Sequence, residues 1–475
     1  MLKKHLIAYM MPNLAQAIAS FGTVALLTRL FSDAEYGRFS LIFTIMTLVH
    51  YLVFTWAEAA ASRNYAKAKE DGNVADHFAT LLGVYLINVG IFVVLAVIVT
   101  LLYPAERAAK MALAAAFAGT IVRSALKIAL ETRRMDLQSM RFALVESFHI
   151  IAGLVLTIIG VWLLGYKEQG PFLALLIAAI LALIIEGPFI ISLAKHGKFN
   201  QILAREYLAF GYPIGMGLIL TMALNMGDRF LIAGYLGDAK VGIYSAGYQV
   251  AARILDIVFA WASSATFPLL VAAYETQNKQ AFAKSANNSF ALRLGIGAPC
   301  ALGIALIAEP LCEILIGPSM RGAAIAIVPW IALAGLFTGL SDYFSDAFML
   351  ARKAKERMII MLIPTILNIV LNIILLPKMG INGAVIATVI AFAVGLLLLA
   401  ILGRRHIIMP IPWLEAAKIA GACLVMAIVV SILPKFGGFV ELITKSMGGA
   451  IVYGAALVAL DFNGAKNKIG DYLRK

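Results

Sequence analysis

Charge is scarce in this 475-residue chain: Asp, Glu, Lys and Arg supply 14% of it, where soluble domains carry about 25%. That deficit, with 62% hydrophobic residues and a mean hydropathy of +0.91, excludes a water-soluble domain and requires a polytopic membrane protein. Cysteine is almost missing. Its three copies, Cys300, Cys312 and Cys423, lie in or beside apolar segments with no metal-ligand spacing, which excludes a disulfide framework and a zinc site and leaves them as packing residues. The six histidines include no pair at metal spacing, and neither a Gly-rich phosphate loop nor a nucleophile constellation occurs. Long polar loops are lacking too: a stretch such as 309–322 is too short to form a catalytic domain outside the membrane. These absences argue against an enzyme, and no cofactor or metal is expected.

Hydrophobic runs, by contrast, are abundant. A helix needs about 20 mainly apolar residues to cross the hydrocarbon, and about fourteen such stretches can be drawn. They cover 9–31, 37–57, 79–102, 109–130, 142–165, 172–194, 210–234, 242–271, 291–308, 323–350, 358–376, 384–403, 416–433 and 447–461. The fold class is therefore all-α. Lys3, Lys4 and His5 ahead of an apolar run look like a secretory signal, but no cleavage region follows and the run continues past Pro12 and Gln16. It reads as the first anchor.

With the spans drawn, 26 of the 39 Lys and Arg residues fall on the side of the N-terminus, Lys279, Lys284 and Arg293 among them, and eleven fall opposite; Arg123 and Arg253 sit deep in spans. The positive-inside rule then makes both termini cytoplasmic, and the net charge of +13 requires no nucleic acid.

Residues 33–60 recur without a gap as 238–265. Identical pairs are Asp33/Asp238, Ala34/Ala239, Gly37/Gly242, Ser40/Ser245, Val53/Val258, Phe54/Phe259, Trp56/Trp261, Ala57/Ala262 and Ala60/Ala265. The shift covers six spans, so the copies start on the same side of the membrane and are parallel repeats. The expected organisation is a six-helix lobe over 1–205, a second over 206–405, and two extra helices with a cytoplasmic tail over 406–475. Met409, Pro410, Ile411, Pro412 and Trp413 mark where that last block enters the bilayer.

Several segments carry a resemblance. The first run, Thr28-Arg29-Leu30-Phe31-Ser32-Asp33-Ala34-Glu35-Tyr36-Gly37, closes span one, and Phe210-Gly211-Tyr212-Pro213 opens span seven. Gly227-Asp228-Arg229-Phe230-Leu231-Ile232 leads to Leu236-Gly237 and Val241-Gly242-Ile243-Tyr244-Ser245. Asn368-Ile369-Val370-Leu371-Asn372 precedes Leu376-Pro377, Gly380-Ile381-Asn382-Gly383-Ala384 and Ala387-Thr388. Together with the span count these resemble the polysaccharide-transport branch of the MOP exporter superfamily, which includes the O-antigen-unit flippases. The resemblance implies a bacterial or archaeal cytoplasmic (inner) membrane protein of two six-helix bundles plus two C-terminal helices.

Charged side chains near the bilayer centre cost about 2.5–3.5 kcal/mol on insertion scales, so they face a bundle interior or a wet cavity. Arg123 and Lys127 are four apart and share a helical face, reading as a cationic wall; snorkelling of Lys127 to the cytoplasmic surface competes. Arg253 has Asp256 three residues on, so a neutral intrahelical pair stands beside a cargo role. Arg29 and Arg229 lie near the outer ends of spans one and seven, open to either cargo binding or interfacial anchoring; the resemblance favours a basic residue at Arg29. Converging cations would suit a lipid pyrophosphate, because Arg binds phosphate oxygens through paired, charge-assisted hydrogen bonds. Asn88, Asn225, Asn368 and Asn372 would meet its sugars, or Asn368 and Asn372 would glue helices together.

The acidic candidates for coupling to a proton or sodium ion are Glu58, Glu146, Glu186, Asp228, Asp256, Asp342 and Asp346. Glu186 precedes Gly187 and Pro188, which should kink the sixth span. Asp342 and Asp346 share a face and approach Arg352, Lys353 and Lys355, so structural ion pairs are the competing reading there.

The resemblance implies a flippase. It would carry an isoprenoid-pyrophosphate-linked oligosaccharide, as in O-antigen and lipopolysaccharide assembly, to the outer leaflet by rocking two halves about a cavity. It would act as a monomer beside polysaccharide polymerase machinery. A multidrug or metabolite cation antiporter of the same fold competes, although buried basic residues count against it, as does a flippase for a lipid-linked peptidoglycan precursor. A membrane-embedded glycosyltransferase or glycan polymerase would need the outer catalytic loop that the chain lacks.

Overall fold

The computed structural model describes residues 2–104 and 106–464. Those residues contain no strand, and fourteen helical stretches are long and apolar enough to cross a membrane, the number expected. The chain divides into two compact units. The first runs to Ala233 and takes in Gly237–Gly242; the second comprises Gly234–Leu236 and the chain from Ile243 onward.

The first unit contains α1 (Leu2–Leu30), α2 (Asp33–Val53), α3 (Thr55–Glu70), α4 (Val74–Leu102), α5 (Arg107–Met135), α6 (Ser139–Ile158), α7 (Gln169–Ala194), α8 (Gln201–Met226) and most of α9 (Asp228–Leu236). Ser32 starts α2 through a capping box: its hydroxyl accepts the Glu35 N–H while the Glu35 carboxylate accepts the Ser32 N–H at 2.9 Å. At Phe54 the helix breaks, and the polar α3 carries on beyond the apolar span. The last turn of α6 widens into a π-helical segment, Ile159–Leu163. Helix α7 packs on α5 and α6, and α1 on α6, around a core that includes Ile42, Phe54, Phe92, Leu113, Phe117 and Phe172. Helix α8 lies on α3 and α2. The approach depends on Gly211, where an added Cβ would stand 2.0 Å from the carbonyl oxygen of Trp56, the tryptophan of the first repeat copy.

The second unit holds most of α10 (Asp238–Glu275), then α11 (Lys279–Leu306), α12 (Ala308–Leu315), α13 (Pro318–Leu350), α14 (Ala354–Met379), α15 (Ile381–Gly403), α16 (Trp413–Ile432) and α17 (Gly438–Ala459). Here α15 packs on α13 and α14, α11 on α13, and α16 on α17 and α11. Tyr343, Phe344, Phe348 and Leu399 lead its core. Cys312 and Cys423 are buried, Cys300 is half-buried, and all three are free thiols.

Three spans start well ahead of expectation, the seventh at Gln201 instead of 210. The ninth, expected to begin at 291, starts at Lys279, because the Asn278 side chain caps the Gln280 and Ala281 N–H groups. Lys279 and Lys284 are therefore helical residues rather than loop residues, and Arg293 lies well inside the helix instead of at its start. The fourteenth, expected at 447–461, is Gly438–Ala459. Glu441 and Lys445 had interrupted the apolar pattern, but they are one turn apart and pair at 2.6 Å, both buried.

Candidate functional site

The first unit gathers its ionisable groups where α2, α3, α5, α6 and α7 meet. Glu58, near the start of α3, is 4% exposed and takes three partners: His50 Nε2 lies 2.9 Å away across the Phe54 break, Ser124 Oγ donates at 2.8 Å, and Lys127 Nζ donates at 2.8 Å. Ser124 and Lys127 reach it together because residues three apart on α5 share a face. Burial alone would raise the Glu58 carboxyl, but the charges and hydrogen bonds of His50 and Lys127 outweigh it and hold it at about 2. Lys127 thus pairs with a carboxylate instead of snorkelling free.

One residue before Ser124, Arg123 points to α6. Its Nη1 and Nη2 donate to the two Glu146 oxygens at 2.9 and 2.6 Å, a bidentate pair whose guanidinium side remains 31% exposed. Beside it is a cavity of about 200 Å³ lined by Met46, Thr47 and His50 of α2, Ala116, Gly119, Thr120 and Arg123 of α5, His149 of α6, and Phe172 and Leu175 of α7. The hydroxyls of Thr47 and Thr120 donate to the carbonyls of Phe43 and Ala116, so their lone pairs are what they offer a guest. His149 is buried, and its Nδ1 has no partner among the described residues.

Glu186 is not a lone acid. Wholly buried on α7, it accepts from Arg133 Nε at 2.9 Å and Arg141 Nε at 2.6 Å, and Arg133 stacks on Phe189 at 3.4 Å. Carrying a coupling ion would first require displacing two arginines. Asn88 is buried in α4, its Nδ2 without a partner among the described residues. Arg29 is exposed and donates to the Ala25 carbonyl at 2.8 Å. Arg229 corrects the interfacial expectation: it is 0% exposed, with Asp228 equally buried 4.0 Å away and the Asn225 carbonyl 3.3 Å from Nη1. Arg229 lies in the first turn of α9, just after Gly227, which separates it from α8.

In the second unit, Arg293 is the residue hidden by its place at the expected start of a span. It is 1% exposed on α11, pairs with Asp346 Oδ2 at 2.9 Å and faces the Tyr343 ring at 5.7 Å. Arg357 Nε donates to Ser345 Oγ at 3.0 Å, and Asp342 is within electrostatic reach of Arg357 and Arg293. The partners of Asp342 and Asp346 are thus Arg293 and Arg357; the expected neighbours Arg352, Lys353 and Lys355 do not supply the pair seen for Asp346. Arg253 on α10 is half-buried, and Asp256 is exposed within electrostatic reach of it. Asn368 and Asn372 are buried and bonded to each other, Asn372 Nδ2 donating to the Asn368 carbonyl at 2.9 Å and to its Oδ1 at 3.2 Å. Of the expected cations, Arg123 and Lys127 lie one turn apart on α5 but turn to carboxylates of different helices, α6 and α3. Glu146 and His149, three apart on α6, complete the surroundings of Arg123; His149 carried no sequence signal beyond lying in an apolar span. Among the described residues no cluster of three metal-ligating side chains occurs.

Known families share this organisation. A family model described as a polysaccharide biosynthesis protein matches residues 2–274, and one described as the lipid II flippase MurJ matches 174–441. The probable flippase AglR of Haloferax volcanii is 23% identical over 252 residues, 51% of this chain and 52% of that protein. The probable lipid II flippase MurJ of Bdellovibrio bacteriovorus is 24% identical over 201 residues, 41% of this chain and 37% of that one. The chain thus matches about half the length, or less, of these curated relatives. Among solved structures, a lipid II flippase MurJ in an inward closed conformation superposes with a TM-score of 0.78 at 15% identity, covering 96% of this chain and 99% of that one. An inward-facing multidrug MATE family transporter of the MOP superfamily reaches 0.68 at 14% identity, covering 88% and 99%. At such identities the superpositions speak for the fold.

Proposed function

Because this chain belongs to the polysaccharide biosynthesis protein family, in the polysaccharide-transport branch of the MOP exporter superfamily, we infer that it is a flippase for a lipid-linked oligosaccharide. The cargo we assign is a glycan on an isoprenoid pyrophosphate, moved from the cytoplasmic to the outer leaflet without covalent chemistry. The observation that carries this assignment is Arg123. A guanidinium midway along a membrane-crossing helix is costly, yet this one stays 31% exposed beside a cavity of about 200 Å³. Arg presents a planar fork that fits phosphate oxygens, and a pyrophosphate offers several. Lys127, one turn away and 37% exposed, is held by Glu58 of α3 and does not line the cavity, so Arg123 alone carries the assignment. The bias of basic residues toward the N-terminal side supports cytoplasmic termini.

The match to the MurJ family model over 174–441 favours a second cargo, a lipid-linked peptidoglycan precursor, which has the same anionic link and a different sugar. One experiment tests both. Purified protein in liposomes is given fluorescent lipid-pyrophosphate glycans of either kind, and arrival in the far leaflet is scored for the wild type and Arg123→Ala. Translocation of one glycan, lost in the variant, is the expected result. Translocation unchanged by Arg123→Ala removes the assignment of that residue, and movement of a cationic dye in place of both lipids removes the flippase reading.

A further inference from the structure

We propose that Glu146 is a stand-in for the anionic headgroup: it occupies Arg123 in the empty carrier and leaves it by taking up a proton when a phosphate-bearing ligand arrives. The proposal rests on the headgroup reading above and adds a proton site to it.

Three observations lead here. First, both Glu146 oxygens are spent on the terminal nitrogens of Arg123, at 2.9 and 2.6 Å. The pair is neutral, so while it lasts Arg123 offers an incoming anion no net attraction, and its end-on edge is taken. Second, Glu146 depends on one cation, whereas Glu58 holds three partners and Glu186 two arginines. Protonating Glu146 breaks one pair; protonating either of the others disturbs a cluster. Third, a proton can reach it. The side chains of Arg123 and Glu146 are 31% and 15% exposed. The adjoining cavity, about 200 Å³, far exceeds the roughly 10–15 Å³ that one water needs. His149, three residues after Glu146 on α6, lines the same cavity.

The other charges around Glu146 are accounted for. Helix α5 brings Lys127, committed to Glu58, and Glu131, paired with Arg134 at 2.6 Å. Helix α2 brings His50, bound to Glu58 of α3; α7 brings Glu186, saturated by Arg133 and by Arg141 of α6. Helix α1 presents no titratable side chain between Met10 and Thr28. By linkage the coupling is reciprocal: if the anion brings a proton with it, a lower pH strengthens the hold on the anion.

The test uses the full chain in detergent with geranylgeranyl pyrophosphate as the probe. Isothermal titration calorimetry in buffers of different ionisation enthalpy measures affinity and protons taken up between about pH 6 and 8. The wild type should take up more protons on binding than Glu146→Gln does, with affinity that strengthens by up to about tenfold per unit fall in pH relative to that variant. The probe's own ionisation is common to both proteins, so the difference isolates Glu146. Glu146→Asp, which keeps the carboxylate, should restore the proton uptake. Equal proton uptake and equal pH slopes in the wild type and Glu146→Gln overturn the proton site while leaving the headgroup reading intact. Absence of binding by either protein at every pH overturns both.

Discussion

Gly37 and Gly242, equivalent positions of the two repeat copies, face each other reciprocally. A Cβ on Gly37 would stand 1.9 Å from the Asp238 carbonyl oxygen, and one on Gly242 would stand 2.0 Å from the Asp33 carbonyl oxygen. Each glycine meets the counterpart of its own aspartate, the pattern of a local two-fold relation. Both contacts lie within the first unit, and the identity at these positions has a steric cause.

Gly37→Ala and Gly242→Ala should each lower stability by about 1–3 kcal/mol, the usual cost of overpacking. Since both relieve the same contact by the same backbone shift, the double variant should lose less than the sum. Thermal melting in detergent checks this, with Gly90→Ala, which meets nothing within 4 Å, as the control. Equal melting of all three would show that the close approach is not maintained.

Glu58 and Lys127 should respond unequally to removal. Glu58→Ala strands His50 and Lys127 and removes a carboxylate that is 4% exposed, so a loss near the roughly 3–5 kcal/mol seen for broken buried pairs is expected. Lys127→Ala leaves Glu58 with His50 and Ser124 and removes a side chain already 37% exposed; about 1 kcal/mol is expected. Because the Glu58 carboxyl is held at about 2, below its ordinary range, its stabilising effect is full above that ordinary range and fades as pH falls toward 2. The stability difference between wild type and Glu58→Gln should therefore shrink only in acid, which equilibrium melting between neutral and acidic pH would show.

Glu186 predicts a different phenotype. Its two arginines tie α7 to the connection between α5 and α6, so Glu186→Gln should destabilise the protein while leaving any proton dependence of transport unchanged. A flattened pH profile in a well-folded Glu186→Gln protein would return this residue to the coupling role.

The fold was legible because membrane helices announce themselves by length and composition, and where this failed the reason was local. Glu441 and Lys445 read as polar interruptions until their pairing within one turn is seen. Asn278 looks like any loop polar residue until its cap extends α11 backward by three turns. The site was legible in part. The spacing of Arg123 and Lys127 implied a shared face, but they turn to different neighbours; their partners Glu146 and Glu58 come from α6 and α3, and no spacing rule relates residues on different helices. Arg229 was left open between cargo and interface because sequence alone does not show which side chains a neighbouring helix covers.

Arg293 and Asp346 give the sharpest separation between stability and function. Both are nearly out of reach of solvent, at 1% and 8% exposure, and meet at 2.9 Å. Removing one partner leaves a charge stranded, so Arg293→Met and Asp346→Leu should each cost about 3–5 kcal/mol. Removing both replaces the pair with apolar volume and should recover most of that loss. Transport then decides what the pair is for. If the double variant melts like the wild type and still moves lipid in liposomes, the pair serves packing alone. If it melts like the wild type and transports nothing, the buried charges are needed by the working cycle, and Asp342 with Arg357, within electrostatic reach of them, become the next residues to neutralise. The expected outcome is the second, because an apolar substitute would have been cheaper for the fold than two desolvated charges.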